Sequence, residues 1–297
     1  MNIENFNKFK VTDKQKLRPI LLKNNYGLCD YNFTNLFIWS SIHDFRWGFC
    51  KDAFFVYDPQ RDFLTYGLGK TLTVSEYVEI SDQVRSKGYS GNFYLFPESV
   101  VSEQREEFSR YFDLELNDYY SDYIYKTQKL VELKGAKLQK KKNLISQFKR
   151  TYPNYQVRAI GPADYQVCND LAEVWCRATE TCGDTFFIQE QEALKNALMN
   201  FEALSLQGLL LTSAEGELLG FSVFSELSDN IADIHFEKSN IEIKGSSQVI
   251  NWETASYLLG RYEYLNREQD LGLNGLRQAK RSYVPEFQMQ SYILKRK

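Results

Sequence analysis

Two related α+β modules with mixed, largely antiparallel sheets are what this chain predicts, and three observations carry the prediction. Short aromatic segments separated by turn residues form a meander in the first half, the order of helices and strands recurs in the second, and a strongly basic stretch divides the two. At 297 residues the chain is long enough for two cores of ordinary domain size. The expected limits are 1–127 for the first module, 128–154 for a basic helical connector and 155–297 for the second module.

Apolar periodicity predicts a helix over 12–22 and the end of a second over 36–41. Between them Asp30, Asn32, Thr34 and Asn35 suit a helix cap, with a place facing a cleft as the alternative. Segments 44–48, 53–57 and 63–67 are short, aromatic and bounded by turn residues such as Asp58-Pro59, which gives the antiparallel meander. A helix over 74–87, a strand over 92–96, a helix over 98–111 and two closing strands over 112–116 and 123–127 complete the first module. In the second half helices are expected over 163–179 and 190–204, strands over 209–212, 218–225 and 231–237, and a helix from about residue 248.

Composition narrows the function classes. With 43% hydrophobic and 25% charged residues the chain is neither disordered nor fibrous. No apolar run reaches the roughly eighteen residues a membrane span needs, and the start MNIENFNKFK lacks an apolar signal segment, so a cytoplasmic protein is expected. A net charge of −3 excludes a molecule-wide nucleic-acid coat and leaves room for a local basic stripe. Such a stripe exists at 126–150, where nine basic residues accompany the single acid Glu132. Its helical middle carries Lys140, Lys141 and Lys142, which read either as a solvated linker face or as a surface for a phosphate-bearing partner such as tRNA. Cys29, Cys50, Cys168, Cys176 and Cys182 show no CxxC or Cys/His metal spacing, so buried reduced thiols and no metal are expected.

The polar residues gather late. A short strand with Tyr264 and Leu265 leads into Asn266, Arg267, Glu268 and Asp270, then a helix over 273–281 presents Arg277, Lys280 and Arg281. Strand-to-helix corners are where α/β folds converge backbone N–H groups and side chains on a ligand, although surface ion pairs or capping by Asp270 explain the same residues. Upstream, Lys244-Gly245-Ser246-Ser247 opens a helix whose N–H groups favour an anion, or is an ordinary cap; its spacing is not that of a Walker A loop. His235 reads as a packed core histidine, with a pairing to Glu237 on the same strand face as the alternative.

The segments FEKSN at 236–240, QVIN at 248–251 and above all YLNREQDLGLNGLRQAKRSYVP at 264–285 resemble the uncharacterised bacterial family DUF2156. That family is similar to the C-terminal part of phosphatidylglycerol lysyltransferases. SDYIY at 121–125, with Leu130, Leu133, Gly135, Lys141 and Asn143, resembles its connecting motif, so the likeness runs over nearly the whole chain. The resemblance implies tandem acyl-CoA N-acyltransferase (GNAT)-like modules and transfer of an aminoacyl group from charged tRNA to an amine or hydroxyl, with a small molecule or lipid head group as acceptor and no further cofactor. On that reading Arg267, Glu268 and Asp270 are expected to be catalytic, and Asn240, Asn251, Asn266, Arg277, Lys280 and Tyr283 to bind substrate. An acetyl-CoA or other acyl-CoA donor, held by Lys244, Gly245 and Ser246, is one alternative; a noncatalytic small-molecule or protein binding module is another.

Overall fold

Fourteen strands form two seven-stranded sheets in the computed structural model, which describes residues 1–178 and 184–297. In chain order they are β1 (Asn7–Lys8), β2 (Arg46–Cys50), β3 (Ala53–Asp58), β4 (Phe63–Thr65), β5 (Asn92–Pro97), β6 (Phe112–Leu116) and β7 (Asp122–Lys126). They continue as β8 (Gln156–Ala159), β9 (Gln207–Thr212), β10 (Leu218–Ser228), β11 (Ile231–Ser239), β12 (Tyr264–Asn266), β13 (Phe287–Met289) and β14 (Ser291–Arg296).

The two sheets repeat one topology. The first runs β1-β2-β3-β4-β5-β14-β6 and the second β8-β9-β10-β11-β12-β7-β13, so in each a strand from a distant part of the chain enters between the fifth and sixth. Among the described pairs only β4·β5 and β11·β12 are parallel. A parallel pair needs a crossover, supplied by the helices Val74–Arg85 and Ser246–Leu258. This duplicated, mixed and largely antiparallel order is that of the expected pair of α+β modules.

The chain divides into two compact units along other lines than the sequence suggests: 1–122 with 269–273 and 288–297, and 123–268 with 274–287. The segment expected to close the first sheet, now β7, pairs antiparallel with β12 in the second, with Leu265 opposite Tyr125. In its stead β14 pairs with both β5 and β6. The basic stretch is no free connector either, because its helix Gln139–Thr151 buries Ile145 and Phe148 in the second core.

The first core is ring-filled: Tyr77, Phe93, Phe96 and Phe108 are buried, with the Tyr77 and Phe96 centroids 4.8 Å apart at a 63° angle. The Asn32 side-chain Oδ1 accepts the Thr34 N–H at 3.0 Å and caps the helix Phe33–His43, so capping prevails there. Cys29 and Cys168 are buried free thiols, Cys50 is a half-buried one, and Cys176 is buried. Cys182 and residue 179, the expected end of the helix now bounded as Tyr165–Ala178, lie outside the described residues. Among the described residues no helix is long and apolar enough to cross a membrane.

Candidate active site at the β11–β12 pair

A bulge in β11 decides which side chains meet. Val223 lies opposite Phe236 and Phe224 opposite Ile234, which leaves His235 as an extra residue. Ala232 and Ile234 point into the core beside Val249 and Ile250 of the helix Ser246–Leu258. Beyond the bulge the alternation is reset: Phe236 and Lys238 line a small cavity with Trp175, Phe187 and Glu190, and Glu237 turns toward Asn251. The alternative pairing of His235 with Glu237 therefore gives way to two separate clusters.

The first cluster is built on Arg267. Its Nη2 donates to Glu237 Oε1 at 2.9 Å, and Glu237 Oε2 accepts from Asn251 Nδ2 at 3.1 Å. The guanidinium lies 4.9 Å from the Tyr283 ring centroid and 5.6 Å from that of Tyr125. Burial is the largest single influence and opposes the charge of Arg267, but the Glu237 carboxylate together with Tyr125 and Tyr283 outweighs it and the arginine is held even more firmly protonated than usual. Its Nη1 is buried without a hydrogen-bond partner among the described residues. Lys141 places its ammonium 4.3 Å from the same Tyr283 ring, and burial, then the charges of Arg267 and Lys140, pull its pKa below the lysine range. Lys280 is committed to the scaffold: its Nζ donates to the Arg267 carbonyl at 2.6 Å, and its own carbonyl accepts the Tyr125 hydroxyl at 2.8 Å.

Glu268 builds the second cluster. The backbone of Arg267 and Glu268 pairs with Tyr123, and the Glu268 N–H donates to Asn266 Oδ1 at 2.7 Å. Glu268 itself sits at φ 56°, a left-handed conformation that a residue with a Cβ seldom adopts. Its Oε1 lies 3.2 Å from His235 Nδ1, and Ser225 Oγ lies 2.8 Å from His235 Nε2. In a neutral ring with the proton on Nδ1, histidine donates to Glu268 and accepts from the Ser225 hydroxyl, so both contacts are satisfied together. The His235 side chain is fully covered while that of Glu268 keeps 23% exposure, which makes the carboxylate the member an incoming molecule can reach. Asp233 lies 3.8 Å from the same Nδ1, and Asp233, His235 and Glu268 are close enough to share a metal ion, as are Cys29, Asp30 and Asp122 in the first unit.

Other predicted site residues are placed differently. Asp270 belongs to the first unit, where its Oδ1 accepts the Gly272 N–H at 2.9 Å. Asn240 closes a turn, accepting the Glu242 N–H at 3.0 Å, and its carbonyl takes the Ser246 hydroxyl at 2.7 Å. Gly245, at φ 91°, lets the helix Gln139–Thr151 approach so closely that a Cβ there would stand 2.6 Å from the Leu144 carbonyl oxygen. Lys244 precedes that packed glycine, and Arg277 is half-buried on the helix Asn274–Arg281. Lys140 and Lys142 are exposed on either side of Lys141. Ser225 escapes sequence reasoning because only the strand register brings it to His235. Tyr125 stands within the SDYIY motif but names no chemistry.

Residues 24–295 match the family described as "Phosphatidylglycerol lysyltransferase, C-terminal". A conserved protein of unknown function from Bacteroides thetaiotaomicron superimposes with a TM-score of 0.91 at 28% identity, covering 99% of each chain. The C-terminal domain of a putative lysylphosphatidylglycerol synthetase from Agrobacterium fabrum gives 0.65 at 14% identity, over 96% of this chain and 92% of that one. Among curated proteins, the uncharacterized protein MYCGA3080 of Mycoplasmoides gallisepticum is 26% identical over 179 residues, which are 59% of this chain and 56% of that protein.

Proposed function

The chain belongs to the phosphatidylglycerol lysyltransferase C-terminal family, and on that premise we propose that it transfers an aminoacyl group from charged tRNA to an amine or hydroxyl acceptor. The observation that carries the reading is the relay of Ser225, His235 and Glu268, which ends in a reachable carboxylate next in sequence to Arg267. Glu268 accepts the proton as the acceptor nitrogen or oxygen attacks the aminoacyl ester carbonyl. A new C–N or C–O bond forms, the bond from the carbonyl carbon to the ribose oxygen breaks, and the leaving ribose oxygen takes back the proton held by Glu268 to become a hydroxyl. His235 and Ser225 orient the carboxylate from behind, and Arg267 with Arg277 holds an anionic part of the substrate.

An acyl-CoA donor fits less well. The start of the helix Ser246–Leu258 would have to cradle its pyrophosphate, yet Gly245 is packed on the Leu144 carbonyl and the Ser246 hydroxyl is engaged by Asn240. The test is a transfer assay that offers radiolabelled aminoacyl-tRNA and, in parallel, acetyl-CoA to a panel of amines and hydroxyl compounds. Label leaving the tRNA for an acceptor supports the reading. Turnover of acetyl-CoA alone, or of neither donor, overturns it.

A further inference from the structure

The Arg267 cluster holds more positive charge than its protein partners balance. Glu237 is its carboxylate, and both oxygens are engaged, one by Arg267 and one by Asn251. Lys280 is satisfied by a carbonyl, whereas Arg267 Nη1 is a buried donor without an acceptor among the described residues. Lys141 is half-buried over the same aromatic ring. Leaving a guanidinium N–H unsatisfied beside a second cation is costly in the empty state, and an entering anion removes that cost.

We propose that Lys141 and Arg267, stacked on Tyr283, form a subsite for one phosphodiester group at the 3′ end of an RNA donor; the identity of the ligand rests on the aminoacyl-transfer reading above. An arginine fork and a lysine point charge are the pair that phosphate recognition uses most readily. RNA is favoured over a single head-group phosphate because the positive charge continues outward along the same helix. Gln139–Thr151 carries Lys140, Lys142, Lys149 and Arg150 in addition to Lys141, and no acidic residue. A track of that kind suits a polyanion.

The deciding experiment measures binding of the full chain to an uncharged RNA hairpin ending in single-stranded CCA, by fluorescence anisotropy across a salt series. Inorganic phosphate and phosphatidylglycerol vesicles are run alongside as the other probes. Lys141→Met and Arg267→Lys are each expected to weaken RNA binding about tenfold or more; Lys141→Met, which removes a charge, also reduces the salt slope by about 0.7, the value for one phosphate contact on a single strand, whereas Arg267→Lys, which keeps the charge, leaves the slope unchanged. Lys195→Met, at an exposed lysine on the separate helix Thr185–Met199, is expected to change affinity only about twofold. Without ligand, Lys141→Met is expected to melt no lower than the parent protein, because it removes a desolvated charge that repels Arg267. A lysine kept for structure would lower the melting temperature instead.

RNA affinity unchanged in a folded Lys141→Met protein, or variant-sensitive binding to vesicles and not to RNA, overturns the subsite. Binding of the RNA here together with absence of any aminoacyl transfer sinks the functional reading and leaves the subsite standing. Transfer that persists with RNA affinity unaltered in both variants does the reverse.

Discussion

Glu268 occupies a left-handed backbone conformation whose cost is matched by the position it achieves, within reach of His235 and still open to solvent. If it is the proton acceptor, Glu268→Gln keeps the shape and removes the basicity, so kcat in the transfer assay falls by about 10²–10⁴-fold. Ser225→Ala acts only through the imidazole; a smaller loss that shrinks further in the Glu268→Gln background is expected, and additive losses would show that the two do not form one relay. Another residue-scale prediction concerns acid stability. Hydrogen bonds from Arg158, at 2.7 and 2.6 Å, hold the Asp164 carboxyl below its ordinary range against the opposing effect of burial, and the Gly161 N–H assists. An acid with a lowered folded-state pKa stabilises the protein above its unfolded value near 4 and loses that contribution as pH falls through the folded value. Arg158 is half-exposed, so the contribution is under about 1 kcal/mol. Asp164→Asn is expected to flatten the dependence of urea midpoint on pH below about 4 and to lower the midpoint at pH 7.

At the scale of elements, β11 and the helix Gln139–Thr151 decide the site. Strict alternation puts His235 and Glu237 on one strand face, and one extra residue at the bulge is enough to separate them. No single-sequence pattern announces that insertion, because Ile231 to Phe236 is uniformly buried and its periodicity is silent about which face is which. The helix is equally mixed: three successive lysines read as one basic run, yet the 3.6-residue turn exposes Lys140 and Lys142 and carries Lys141 inward to Tyr283. Its close contact with Gly245 gives a direct test. Gly245→Ala forces a Cβ to 2.6 Å from the Leu144 carbonyl oxygen at φ 91°, so a loss of about 2 kcal/mol or more and a lower melting temperature are expected. A parent-like melting curve would mean that the helix Gln139–Thr151 does not pack there.

At the scale of the whole chain, each sheet depends on a strand from the far half of the sequence. β14 sits between β5 and β6 and supplies hydrogen bonds to both, so removal of 288–297 leaves two strands of the first sheet with unpaired edges. Truncation after residue 287 is expected to abolish hydrogen-exchange protection in β5 and β6, while β9, β10 and β11 keep theirs. The same exchange makes a cut at residue 127 a poor way to isolate the first module. Such a fragment carries β7, which belongs to the other sheet, and lacks β14.

Element types were legible because aromatic alternation and 3.6-residue periodicity are local properties. The meander at Arg46–Thr65, the crossover helix Val74–Arg85 and the corner after Tyr264 follow from them directly. The motif at 264–285 likewise carried the family, since it needs no partner to be read. Tertiary structure alone decided the rest. An extended segment such as Ser291–Arg296 fits any open sheet edge, and pairing energy, which depends on distant strands, selects the one it joins. The meeting of Ser225, His235 and Glu268, and of Lys141 with Arg267 and Tyr283, depends on register and packing between residues far apart in the chain, which no local pattern encodes.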